Sequence, residues 1–255
     1  MSGLSLTVAC TAAIIISGGV LILFERRFPH TKGQPLFREG FAADLAFYSL
    51  LQSYLLGVLI FGFIQWVDDH TTLERFELVR SQSVILQLGF FLVVHDLYIY
   101  WFHRWQHSNA LLWRIHEAHH STKDVDWLSG SRSHSLEILV NQTVEFLPVV
   151  LLASPEVAII KGAIDAVWGM YIHSNIDVRS GRLQWIVNGP EMHRWHHADD
   201  SRSHNRNFAT KFAIWDWLFG TAYLPQREKP TRYGLHDEFP KGYIRQHLHA
   251  FRRRD

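Results

Sequence analysis

Cysteine is nearly missing from this sequence: Cys10 is the single one in 255 residues. That excludes an intramolecular disulfide and any cysteine-rich zinc or iron–sulfur site. A metal held by this chain would need nitrogen and oxygen ligands. An excess of either charge is missing too, with 25 Lys and Arg against 24 Asp and Glu. The balance alone argues neither for nor against nucleic acid, and no nucleic-acid partner is expected from the rest of the pattern. No repeat of solenoid type is visible. The first apolar run lacks the positive n-region of a signal peptide and is too long for one, so it reads as a spanning helix.

What is there is aromatic and rich in histidine, with ten Trp and 17 His. Long apolar runs alternate with His- and Arg-rich stretches. Membrane segments are expected near 4–24, 41–67, 83–102, 136–153 and 157–172, each close to the length that crosses a bilayer. Only Ser154-Pro155 and the next residue separate the last two, which predicts a tight hairpin. The expected fold is therefore all-α: a multi-pass helical bundle of about four to five membrane segments. A helical cap formed by 103–135 and 174–255 completes a single domain over 1–255. Basic residues near the span ends set orientation. Arg26, Arg27, Lys32 and Arg38 put the first loop in the cytoplasm, and Arg252, Arg253 and Arg254 put the C-terminus there as well. Counting passes then brings every histidine-rich stretch to that one face, in a bacterial inner membrane or the endoplasmic reticulum.

Three clusters carry the chemistry: His103 with His107, His116 with His119 and His120, and His193 with His196 and His197. Spacings of three and four residues bring side chains to one helical face. Eight imidazoles are too many for one ion, since zinc takes at most four protein ligands; two metals fit the count. His173, at the end of the last apolar segment, is a further candidate ligand. His134 is a candidate for a ligand or a supporting role. Asp96, on the same helical face as His103, is expected to orient a ligand imidazole. Glu137, Asn141 and Glu145 form one polar stripe, and Asp165, Gly169 and His173 another, both facing the site. Gly189-Pro190 predicts a helix start just before the third cluster. His30, His70, His236, His247 and His249 read as surface or satisfied core residues.

Imidazole-only sites suit several metals, and two other readings compete. His116-Glu117-Ala118-His119-His120 also satisfies H-E-x-x-H, with Glu117 as the base of a membrane zinc protease. That reading leaves His119 and two whole clusters idle. A non-catalytic metal-binding or transport protein is the other, but a transporter would be expected to spread ligands along its spans.

The chain resembles the fatty acid hydroxylase and sterol desaturase superfamily from about Glu25 to Thr221. The matching stretches are D-L-Y-I-Y-W-F-H-R-W-Q-H from Asp96 to His107, H-E-A-H-H-S from His116 to Ser121, and Arg132 to Glu137. His173-Ser174-Asn175, His193 to His197, and W-D-W-L-F-G-T from Trp215 to Thr221 complete the set. Two positions depart from the pattern: Ser135 stands where proline is common, and Ala209 where glycine is usual. The resemblance implies two Fe ions held by His103, His107, His116, His119, His120, His173, His193, His196 and His197. It also implies that Asp96, His134 and Asn175 support catalysis. The implied activity is O2-dependent hydroxylation or desaturation of an unactivated C–H position in a lipid: a sterol, fatty acyl chain, carotenoid or ether lipid. With no heme-binding or Cys-based electron carrier of its own, such an enzyme draws electrons from a separate donor of cytochrome b5 or ferredoxin type. Arg104, Arg194 and Arg206 are the basic residues that could dock it.

Overall fold

The computed structural model describes residues 3–71, 77–226 and 228–252; Arg253 and Arg254 of the expected basic tail lie outside them. Five long helices dominate: α1 Gly3–Arg27, α2 Phe41–His70, α3 Val84–Ser108, α5 Ser135–Leu152 and α6 Pro155–His173. Between and after them run α4 Ala110–His116, α7 Pro190–His196, α8 Ile214–Leu218 and α9 Tyr243–His249. Among the described residues there is no strand, only the isolated bridges Pro29–Ile176 and Ala198–Tyr233.

Four helices, α1, α2, α3 and α5, are long and apolar enough to cross a membrane. Only 11% of the most apolar stretch of α1 is buried inside the protein. Leu4, Ile15, Ile16 and Leu23 instead point outward from it. Such a surface is stable in lipid and not in water. The fifth, α6, is long enough but carries Glu156, Lys161 and Asp165. It packs against α1 and touches α3 and α5, so Lys161 is buried and Asp165 largely covered by protein, while Glu156 at its start is exposed.

Local signals explain the ends. Ser83 caps α3, accepting from Leu86 N–H, and Asn109 caps α4 with two bonds to its first turn. Pro155 and Pro190 sit in the first turns of α6 and α7. Ser135, where the family pattern favours proline, is the first residue of α5, and its N–H donates to His247 Nε2 at 3.1 Å, a bond proline could not make.

The helices alternate in direction, so the C-terminal ends of α1, α3 and α6 meet the N-terminal ends of α2 and α5 on one face. Contacts there are specific. Glu25 near the end of α1 accepts from Trp127 and Asn175 N–H at 2.8 and 2.7 Å. Asp44 near the start of α2 pairs with Arg132 through both oxygens and with Arg38. Segments 109–134 and 174–252 are thus tied to one end of the bundle.

Candidate metal centre

All nine histidines implied as ligands converge on this face, in two adjoining groups. His103, His107, His116, His120 and His196 form one, and His119, His173, His193 and His197 the other. Within each group the ligand nitrogens lie within 4.8 Å of one another. Each H-x-x-H-H run serves both groups: residues one or three apart part, and those four apart pair. His120 and His197 stack across the boundary with ring centroids 4.6 Å apart.

The hydrogen bonds decide what these rings can do. His103 Nδ1 faces Phe208 O at 2.8 Å, His119 Nδ1 faces Arg132 O at 3.2 Å, His173 Nδ1 faces Gly169 O at 2.7 Å, and His196 Nδ1 faces Arg206 O at 2.7 Å. His116 Nδ1 faces Glu137 Oε1 at 2.8 Å. A carbonyl or carboxylate oxygen accepts, so each Nδ1 carries the ring proton and each Nε2 presents a bare lone pair. Yet His103 and His116 bring their Nε2 atoms to 3.1 Å, and His119 and His173 theirs to 3.3 Å. Two lone pairs cannot hydrogen-bond. His107 and His196 Nε2 are buried with no partner among the described residues. Converging, buried and undonated nitrogens fit metal ions, and the Nδ1 contacts are the supports that fix ligand rings. Burial, and then the neighbouring imidazoles, holds His116, His119, His120, His193, His196 and His197 well below the ordinary histidine range. They are neutral at neutral pH, the form that binds metal.

Other residues shape this arrangement. Gly130 lies where a Cβ would come within 2.5 Å of His173 Nδ1 and 2.7 Å of its Cε1. Asp96 hydrogen-bonds no imidazole. Its carboxylate takes Thr210 Oγ1, the N–H groups of Lys211 and Phe212, and Trp215 Nε1 at 2.6–3.1 Å. Asp216 takes the N–H groups of Phe208 and Ala209. The two carboxylates fix the 207–212 segment, and with it the carbonyl that His103 needs. His134 lies outside both groups and caps α5 by accepting from Leu136 N–H. Asn175 lies outside them as well, bonded to Thr31 on both sides of its amide. Glu137 is the carboxylate that meets a ring of the groups. Arg194 is fully buried, bonded to Val125 O, Ser174 O and Tyr233, so it is no docking residue for a partner. Glu117, the base a zinc protease would need, is held by Arg252 at 2.9 and 3.0 Å.

A third group, His95, Glu145 and Asp165, lies deeper among the helices. Lys161 Nζ sits at its centre, bonded to Glu145, to Asp165 at 2.7 Å and to His95 Nδ1 at 3.2 Å. The ammonium takes the place a metal would have.

Two cavities flank the imidazoles. One of about 450 Å³ opens on the cap side and touches His107, His120, His196 and His197. The other, about 200 Å³, lies among α3, α5 and α6 and touches His103, His116, His119, His173 and His193. The nine rings form the partition between them.

A sequence model of the fatty acid hydroxylase family matches residues 88–221, the stretch that holds every one of these histidines. The chain belongs to the fatty acid hydroxylase family. Among its relatives is ornithine lipid hydroxylase OlsE of Rhizobium tropici, 34% identical over 164 residues, which cover 64% of this chain and 50% of that protein. Alkylglycerol monooxygenase of Homo sapiens is 31% identical over 140 residues, 55% of this chain and 31% of the relative. A very-long-chain aldehyde decarbonylase of Oryza sativa subsp. indica is 25% identical over 228 residues, 82% of this chain and 81% of the relative. The match thus spans half or less of the length of the first two. No solved structure matches the chain.

Proposed function

We propose that this chain is a membrane-bound, di-iron lipid monooxygenase that hydroxylates a C–H bond. The observation that carries this reading is the pair of imidazole groups whose Nε2 atoms face one another while His103, His116, His119, His173 and His196 already commit their Nδ1 protons. The names of the relatives, an ornithine lipid hydroxylase and an alkylglycerol monooxygenase, support hydroxylation over desaturation and a lipid as substrate. One oxygen atom of O2 enters the C–H bond as a hydroxyl. The other leaves as water, with two protons and with two electrons from a separate donor.

His103, His107, His116, His120 and His196 would hold one ion, and His119, His173, His193 and His197 the other. Bound iron supplies the redox change and open positions that dioxygen reduction needs and that no side chain offers. The protein's part is to hold the rings, through Glu137 and four backbone carbonyls, and to place the reacting carbon beside them. Basic residues at the span ends support a cytoplasmic position for the centre.

The test is metal analysis of the purified chain combined with labelled dioxygen. About two irons per chain and one labelled oxygen atom in a lipid product are expected. A single zinc, or product oxygen drawn from water, would overturn the proposal.

A further inference from the structure

The cavity on the helix side of the partition does not end at the imidazoles. Beyond Ile99, Phe102 and Ile172 it reaches His95, Asn141, Asp165 and Lys211. Along α3, His95 and His103 are eight residues apart, roughly 12 Å at 1.5 Å per residue. One end of the space therefore meets the candidate metal ligands, and the other meets charged groups at the depth of the spans.

Those groups limit what can bind. Lys161 and Lys211 balance Glu145 and Asp165, and the four form one connected set with His95. An ion of either sign placed against them would add an uncompensated buried charge, which a low-dielectric interior resists. An all-hydrocarbon chain would leave their remaining donors and acceptors unmet. Those exist on both sides. Lys211 Nζ is paired with Asp165 Oδ1 at 2.6 Å, and an ammonium has three donors. Asn141 Oδ1 is buried with no partner among the described residues. A ligand segment that satisfies both carries an acceptor and a donor and no net charge.

Size points the same way. At about 30 Å³ per water-sized group, 200 Å³ holds about seven non-hydrogen atoms. A compact polar headgroup fits within that space.

We propose that the helix-side cavity is a headgroup subsite for a net-neutral, zwitterionic or otherwise hydrogen-bonding, lipid headgroup. Lys211 donates to it, Asn141 accepts from it, and the oxidised carbon lies within the headgroup or directly beside it. The inference rests on reading the imidazole groups as a lipid monooxygenase centre.

The test uses the source strain with its gene deleted, complemented by the full chain or by Lys211→Met, Asn141→Leu or His196→Ala. Lipid extracts are compared, and fragmentation mass spectrometry places any added oxygen atom. Asn141→Leu breaks no hydrogen bond made by its carbonyl oxygen, so it tests the subsite even if Lys211→Met fails to fold. The expected result is one extra oxygen in a headgroup fragment with the native chain and none with His196→Ala. Lys211→Met and Asn141→Leu should each lower that product at least tenfold, with membrane levels and iron content unchanged for Asn141→Leu. Oxygen on an acyl or alkyl chain would overturn the subsite while leaving the monooxygenase standing. Full product from both variants would overturn the roles of Lys211 and Asn141. If no lipid gains oxygen with the native chain, the monooxygenase reading falls and the subsite with it.

Discussion

At the scale of single residues, the rings hold their places because what surrounds them leaves little choice. His173 lies against Gly130 so closely that a methyl group there would overlap the ring. Protein interiors do not absorb such an overlap without shifting a neighbour. Gly130→Ala should therefore move His173 out of the four-imidazole group and weaken metal binding there by about 10–100-fold, the range found when a ligand loses its support. Iron per chain, measured after gel filtration, should drop by about half, and an unchanged iron content would reject the role given to Gly130. Eight of the nine histidines were legible as sequence, because imidazoles repeated at three- and four-residue spacing have few other uses, and His173 was a candidate from its place at the end of the last apolar segment. Gly130 was not. Its reason is a ring 43 positions away, and no local pattern carries that. The same holds for Asp96: its place on the His103 face of α3 was readable, but its partners in 210–215 belong to a distant segment.

At the scale of elements, the connection from Asp96 to the 207–212 segment is the more consequential one. Asp96 and Asp216 take six backbone and side-chain donors from residues 208–215 between them. Their product is the position of Phe208 O, which fixes the protonated nitrogen of His103. Hydrogen bonds to a charged group contribute about 1.5–3 kcal/mol each. Asp96→Asn replaces an acceptor by a donor facing donors, so a loss of at least about 2 kcal/mol is expected. Limited proteolysis should show earlier cleavage in 205–215, and activity should fall with it. Wild-type protease resistance in Asp96→Asn would mean that the clamp contributes nothing. The helices that this segment packs on were expected within a few residues of where they lie, with one informative difference. Hydropathy ends the third apolar run at 102, whereas α3 continues to Ser108. Apolar content reports where lipid ends, and backbone hydrogen bonding stops only where Asn109 leaves helical geometry to cap α4. The six residues between carry His103 and His107, so the first cluster sits on a rigid extension of a span and not on a loop.

At the scale of the whole molecule, the nine imidazoles, eight of them buried and His107 half-buried, make the apo state costly, because lone pairs that cannot bond to one another are held together by the fold. A ligand present at a hundredfold excess over its Kd stabilises the native state by about 2.7 kcal/mol. For a chain of this size 1 kcal/mol corresponds to about 2–4 °C in Tm. Removing metal with a chelator should lower Tm by about 5–10 °C, and iron should restore it. A Tm indifferent to both would mean that the imidazole groups hold no metal.

The alternation of the helices makes a second, geometric demand. Every element bearing a histidine of the two groups leaves the bundle at the same end, while the turn around Ser81 leaves at the other. Ser81 and Ser201 are both exposed, which makes them suitable reporters. In a Cys10→Ser background, a single cysteine at either position can be challenged with a membrane-impermeant thiol reagent in sealed, right-side-out vesicles. Ser81→Cys should react at once, and Ser201→Cys only after the vesicles are opened. The opposite order would place the centre on the outer face and reverse the orientation inferred from Arg26, Arg27, Lys32 and Arg38. Reaction of both in sealed vesicles would contradict the crossing of the membrane itself, since an unbroken bilayer must separate the two ends of α3.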